Sequence, residues 1–82
     1  RDDFTVVEGV GPKINDLIHD AGIHRYTDLG KTKVEAIQKI LDEAGPRFKM
    51  HDPGSWPRQS KLAADGKWQE LEKLQDELDG GK

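Results

Sequence analysis

Residues 8–13, with the sequence EGVGPK, combine the residue types that bind an anion through the backbone. Glycines lack a Cβ, so a bulky group can approach the main chain closely at Gly9 and Gly11. Proline favours the first position of a helix, and the unpaired N–H groups of a helix start attract negative charge. Lys13 adds a mobile ammonium beside the same turn. The spacing predicts an oxyanion site built from the amides around Val10 and the charge of Lys13; the alternative is a tight turn that serves only to fold two helices together.

Two short helices are expected to hold this turn in place. Asp2 or Asp3 can cap the first of them through a side-chain oxygen. The second begins at Pro12 and carries apolar residues at helical spacing, and Gly22 suits the left-handed residue that follows a helix. Val10 lies between the two glycines and is expected to plug the turn into the core, which keeps the loop rigid.

Helical spacing continues through the rest of the chain, with no strand alternation. The capping-box pattern of Thr32 and Glu35 predicts the start of the clearest helix, and Gly45-Pro46 ends it. Three further segments are expected to be helical: one turn over residues 26–29, a helix around Trp56 capped by Asp52 or Ser55, and a final helix carrying Trp68, Leu71, Leu74 and Leu78. The fold class is therefore all-α, a compact bundle of five or six short helices.

Length and composition bound what such a bundle can do. The 82 residues are 33% hydrophobic and 35% charged, which indicates one small domain and no bilayer-spanning segment. The absence of Cys excludes thiolate zinc sites and Cys nucleophiles. The net charge is −3, carried by residues 1–45, while residues 46–82 are balanced. Any polyanion binding must therefore be local.

The Gly9-Val10-Gly11 turn between two helical patterns resembles the helix-hairpin-helix family. In that family the hairpin grips nucleic-acid phosphates through backbone amides without reading sequence. The resemblance implies a SAM-like, helix-hairpin-helix architecture and nominates Gly9, Val10, Gly11 and Lys13 as nucleic-acid-binding residues. Residues 3–44, with the later WPRQ and LAA segments, are similar to a hairpin-plus-helices unit that is fused to many bacterial proteins, including some ribosomal and respiratory-complex subunits.

This resemblance also sets the expected domain organisation. Residues 1–45 form the hairpin unit, residues 46–79 form a helical extension that packs on it as one domain, and residues 80–82 form a flexible tail. One position departs from the family pattern, because Asn15 stands where DNA-binding hairpins usually carry a small Ala. Glu8 and Asp16 make the neighbourhood less positive. The alternative function is therefore a protein-interaction or scaffold module that has kept the fold and lost nucleic-acid binding.

Other polar residues offer weaker candidates. Arg25, Lys31 and Lys33 could extend a basic rim, although solvated surface lysines are the commoner explanation. Basic residues near Trp56 could clamp a single strand if that ring were exposed, but a core position is expected for it. The three histidines are expected at the surface and form no ligand set. The sequence therefore predicts no metal, no cofactor, no catalytic residue, no membrane contact and a cytoplasmic location, with nucleic acid as the expected partner and a protein as the alternative.

Overall fold

The computed structural model describes residues 1–80, including the side chains of residues 1–78, and these residues contain no strand. A 3₁₀ turn over Phe4–Val6 precedes five α-helices, and a second 3₁₀ turn over Pro46–Phe48 lies between the third and the fourth of them. The helices are α1 (Pro12–Asp20), α2 (Tyr26–Lys31), α3 (Val34–Ala44), α4 (Trp56–Ala64) and α5 (Trp68–Gly80). The predicted all-α fold is confirmed.

The first turn is tied to α1 by side-chain hydrogen bonds. Asp3 caps it, because its Oδ1 accepts from the Thr5 N–H at 2.9 Å. The Phe4 N–H donates to Asn15 Oδ1 at 2.9 Å across the hairpin. Asn15 therefore satisfies a part-buried backbone donor that an Ala at this position would leave unpaired.

One apolar cluster joins the hairpin to the later helices. It contains the buried rings of Phe4 and Trp56, together with Ile18, Ile37 and Leu41, which are each at 0% exposure. Trp56 comes from α4 and lies in the same cluster as residues of the first turn, α1 and α3. The core thus includes side chains from both sides of residue 45.

Helix α4 packs closely on α2, and a glycine makes this approach feasible. A Cβ on Gly30 would lie 2.8 Å from Lys61 Cγ and 3.4 Å from the Lys61 backbone nitrogen. Gly30 is itself buried. The small residue at this helix contact is therefore Gly30 of α2. The position on α1 where DNA-binding hairpins usually carry a small Ala is occupied by Asn15.

Several local predictions hold and one is wrong. Pro12 begins α1, and Gly22 and Gly45 adopt positive φ just after α1 and α3. The Thr32 capping box does not form: Lys33 is the N-cap residue of α3, and Thr32 Oγ1 donates instead to the Asp28 carbonyl at 2.7 Å. The hydroxyl is used by the end of α2 because only two residues separate the two helices.

The final helix differs from its predicted apolar stripe. Leu71 and Leu74 are buried, but Trp68 is 50% exposed and Leu78 is 36% exposed. Gly80 belongs to α5 rather than to the expected tail, and residues 81–82 lie outside the described residues. In the described part of the chain, no helix has the length and apolar character needed to cross a bilayer.

Candidate functional site

The turn between the first two helical segments is shaped by Gly9. Its φ is +100°, a conformation that side chains with a Cβ rarely adopt. A Cβ there would also lie 2.9 Å from Trp56 Nε1, so the indole occupies the space beneath the glycine. Val10 follows at 6% exposure and packs into the core cluster. Val10 therefore packs into the core as predicted. A residue with a Cβ would be unfavourable at position 9, both because of the positive φ and because of the close contact with Trp56.

The backbone amides of the turn divide into paired and unpaired groups. The Val10 N–H donates to the Val7 carbonyl at 3.1 Å, so the expectation that Val10 offers an open amide is wrong. The first hydrogen bond of α1 runs from Asn15 N–H to the Gly11 carbonyl. Among the described residues, the N–H groups of Gly11, Lys13 and Ile14 have no hydrogen-bond partner, as expected for a helix start without a side-chain cap.

Gly11 differs from Gly9 in what surrounds it. It has an extended backbone, with φ −92° and ψ 179°, and serves as the N-cap of α1. A Cβ added to Gly11 would meet nothing within 4 Å. The fold therefore does not require glycine at position 11, and the open space lies next to the unpaired amides.

The hairpin is held from α4 by a residue that sequence reasoning missed. Gln59 is fully buried, and its Oε1 accepts from the Glu8 N–H at 2.7 Å. Its Nε2 donates to the Glu8 carbonyl at 3.2 Å and to Ser55 Oγ at 3.0 Å. Gln75 of α5 completes the network, donating to Gln59 Oε1 at 2.9 Å and to the Val6 carbonyl at 2.8 Å. We call the paired Gln59 contacts with Glu8 the Gln59 clamp.

Charges around the turn are mixed. Lys13 is exposed one position beyond Pro12, and Glu8 and Asp16 are exposed on either side of it in sequence. The residues of the expected basic rim lie at the ends of the neighbouring helices: Arg25 is the N-cap of α2, Lys31 lies in its last turn, and Lys33 is the N-cap of α3. The structure thus places Gly9, Val10, Gly11 and Lys13 on one turn and the three rim residues on separate helix ends.

Lys31 has a structural explanation for its position. A positive charge in the last turn of a helix is favourable because the helix dipole is negative there. Lys31 also precedes the start of α3, where a positive charge is unfavourable. Because α2 extends to Lys31, this residue offers no separate sign of function.

His19 is buried, contrary to expectation, whereas His24 and His51 are exposed as predicted. The His19 ring packs against Phe4 with centroids 4.8 Å apart, and its Nε2 lies 2.8 Å from the Asp2 carbonyl oxygen. A carbonyl can only accept, so His19 Nε2 carries the hydrogen. His19 Nδ1 lies 3.0 Å from His24 Nδ1, so one of these two nitrogens donates to the other. This pair fastens the N-terminal turn to the end of α1.

Asp2 and Asp3 also fasten this turn to the start of α2. Asp2 Oδ2 accepts from the Tyr26 N–H at 2.7 Å, and the Tyr26 hydroxyl donates to the Asp3 carbonyl at 2.9 Å. Burial, followed by the charges of Asp2 and Asp3, raises the pKa of Tyr26. The hydrogen bonds from Thr5 lower the pKa of Asp3.

The basic residues of the third loop do not surround an exposed ring at Trp56. Trp56 is 1% exposed, which confirms its predicted core position and excludes it as an open stacking platform. The Arg47 guanidinium instead lies 5.2 Å from the Phe48 ring centroid. Among the described side chains, no group of three or more His, Cys, Asp or Glu residues is arranged to hold a metal ion.

The short turn with a buried residue between two glycines, followed by a proline-initiated helix, defines a helix-hairpin-helix domain. The family model described as "RS2/RL21/YNQ2 HHH domain" matches residues 4–64. The chain therefore belongs to this family of helix-hairpin-helix domains, and the match covers the hairpin and α4 but not α5. No curated protein and no solved structure shows significant similarity to the chain.

Proposed function

We propose that this domain is a non-catalytic helix-hairpin-helix module that binds the phosphate backbone of nucleic acid weakly and without sequence specificity. The single observation that carries the proposal is the environment of Gly11. Its N–H and those of Lys13 and Ile14 have no partner in the described part of the chain, and the space in front of Gly11 is empty. Family membership supports the same function, since the hairpin of helix-hairpin-helix domains grips phosphates.

In this proposal each residue of the turn has a different task. Gly11 and Lys13 donate backbone hydrogen bonds to a phosphate oxygen, and the Lys13 ammonium adds charge. Gly9 and Val10 shape and anchor the turn, since Gly9 lies against Trp56 and the Val10 N–H is already bonded. Arg25, Lys31 and Lys33 form a secondary rim that attracts the polyanion through space.

We also propose that residues 1–45 and 46–79 act as one unit in binding. The Gln59 clamp supports this, because a buried side chain of α4 pairs with both backbone groups of Glu8 immediately before the turn. The family match supports it too, since residues 4–64 span the boundary at residue 45. The proposal includes no metal, no cofactor and no membrane contact by this domain, and it places the domain in the cytoplasm.

Fluorescence anisotropy with a short labelled duplex tests the function. One hairpin contacts about two phosphates, so affinity should fall about tenfold between 50 and 200 mM salt. Gly11→Val and Lys13→Glu should each weaken binding with unchanged helicity by circular dichroism. Lys39→Glu makes the same charge change at an exposed residue of α3 and should weaken binding much less. A wild-type domain that gives no salt-sensitive anisotropy change at low salt would refute the proposal.

A second candidate function is a protein-interaction or scaffold module. Trp68 favours it, because this large ring is 50% exposed on α5 and meets the Tyr26 ring edge-on, with centroids 6.2 Å apart. The net charge of −3 also favours a partner other than a polyanion. Measuring the solution mass of the domain, alone and as Trp68→Ala, tests whether this ring lies in a self-association interface.

A further inference from the structure

A cleft of about 290 Å³ lies beside the hairpin, between the turn, the loop before α4 and the last turn of α5. We call it the hairpin cleft. Its lining includes Glu8 and Gly9 of the turn, Asp52 and Ser55 of the loop, Trp56 of α4 and Leu78 of α5. The unpaired amides of Gly11 and Lys13 are not part of this lining. The cleft and the phosphate site are therefore different surfaces of the same hairpin.

Trp56 presents an unused hydrogen-bond donor to this cleft. The residue is 1% exposed, and its Nε1–H has no hydrogen-bond partner among the described residues. Nε1 lies beneath Gly9, which also lines the cleft. Within the described residues, Ser60 Oγ is the one side-chain polar atom that is both fully enclosed and without a partner. Trp56 Nε1 also has no partner there, so it is not fully enclosed and stays accessible from the cleft that Trp56 lines. Buried Trp N–H groups usually find an acceptor.

The charged side chains of the cleft favour a cation. Glu8 and Asp52 are both exposed carboxylates, and no Lys or Arg of the described residues lines the cleft. His51 also lines it. Two carboxylates that line one cleft disfavour a phosphate and attract an ammonium or a guanidinium. Leu78 supplies an apolar wall against which the methylene stem of a long basic side chain can lie.

We propose that the hairpin cleft binds a Lys or Arg residue of a partner polypeptide. The positive charge pairs with the carboxylates of Glu8 and Asp52, and the aliphatic stem contacts Leu78. A main-chain carbonyl of the partner accepts the Trp56 Nε1–H. The occupant is thus a basic segment of a protein, and the cleft gives this helix-hairpin-helix domain a protein-binding site that does not depend on the phosphate site.

NMR titration of the uniformly ¹⁵N-labelled 82-residue chain tests this site directly. The probe is the acetylated and amidated peptide Gly-Arg-Gly-Arg-Gly, and a matched peptide carries citrulline, which is uncharged, in place of each arginine. The Trp56 indole resonance is assigned by its persistence in Trp68→Phe. The arginine peptide should move it downfield, as a new hydrogen bond requires, and the citrulline peptide should bind at least several-fold more weakly.

Variants of the carboxylates separate the site from general charge effects. The double variant Glu8→Gln and Asp52→Asn should weaken peptide binding about tenfold. Its fold should persist, because Gln59 bonds only the backbone of Glu8, and Asn keeps the Oδ1 that accepts the Gly54 N–H at 2.9 Å. The control Asp16→Asn with Glu35→Gln makes the same change in net charge at exposed residues outside the cleft lining and should leave binding unchanged.

Three results would overturn the proposal. The first is an indole resonance that does not move at millimolar arginine peptide. The second is equal binding of the arginine and citrulline peptides, or equal binding by the double variant and its control. The third is a shift caused by a single-stranded oligonucleotide and not by the peptide, which would assign the cleft to a nucleobase. None of these results bears on duplex binding at Gly11, so the two proposals fail separately.

Discussion

Replacing Gln59 with Leu should destabilise the domain far more than an ordinary glutamine substitution. The change removes the acceptor of the Glu8 N–H and the donor to the Glu8 carbonyl, both part-buried, at 2.7 and 3.2 Å. A part-buried hydrogen bond contributes about 1 kcal/mol, and an unpaired backbone group costs somewhat more, so the loss should be about 2–4 kcal/mol. A domain of this length has a total stability of roughly 4–12 kcal/mol. The midpoint temperature should therefore fall by about 10–20 °C.

Urea denaturation followed by circular dichroism measures this loss, with Gln38→Leu as the matched control. Gln38 also lies in a helix, but its Nε2 makes one exposed hydrogen bond, to Asp42 Oδ1 at 3.0 Å. The free energy of unfolding of this control should fall by less than about 0.5 kcal/mol. Amide hydrogen exchange adds a local readout, since Gln59→Leu should accelerate exchange at Glu8 beyond the global change. Equal urea midpoints for the two variants would refute the role of the Gln59 clamp.

Three further predictions concern the residues that shape the hairpin. Gly9→Ala should lower the free energy of unfolding by about 2–3 kcal/mol, because Gly9 has a φ of +100° and the indole lies beneath it. Gly22→Ala should lower it by about 1 kcal/mol, because Gly22 has a φ of +91° but open space around it. Urea denaturation midpoints of the two variants measure the difference. Asn15→Ala should lower the free energy of unfolding by about 1–2 kcal/mol. It should also speed hydrogen exchange of the Phe4 amide, which donates to Asn15 Oδ1. The lowered pKa of Asp3 means that its stabilising contribution is present above the unfolded-state pKa and is lost as pH falls through the folded one. Asp3→Ala should therefore show a smaller acid-induced loss of stability, measured by urea midpoints across the acidic range, and an identical pH profile would contradict this.

Much of the fold followed from short-range signals in the sequence. Pro12 predicted the start of α1, Gly22 predicted the positive-φ residue after it, Gly45-Pro46 predicted the end of α3, and Val10 was identified as the buried residue of the turn. These features depend on a few neighbouring residues. The Thr32 capping box failed because its hydroxyl donates to the Asp28 carbonyl of the preceding helix and accepts no N–H at the start of α3.

The contacts that position the candidate site depend on residues far apart in sequence. Gln59 lies 51 residues from Glu8, so the pairing of these two residues leaves no signal in the local sequence. Its position on α4 beside Trp56 and Ala63 was the available signal, because these apolar residues fix which face of the helix is buried. His19 was missed for the same reason, since its partner Asp2 comes from another element.

The measurement that tests the central claim most directly is a ¹H–¹⁵N NMR titration of the domain with a short unlabelled DNA duplex at low salt. The account predicts that the backbone amides of Gly11 and Lys13 shift most, that the Val10 amide shifts less because it remains bonded to Val7, and that added salt reverses the shifts. Shifts spread over surface lysines that leave Gly11 unchanged, or no shifts at all, would contradict it.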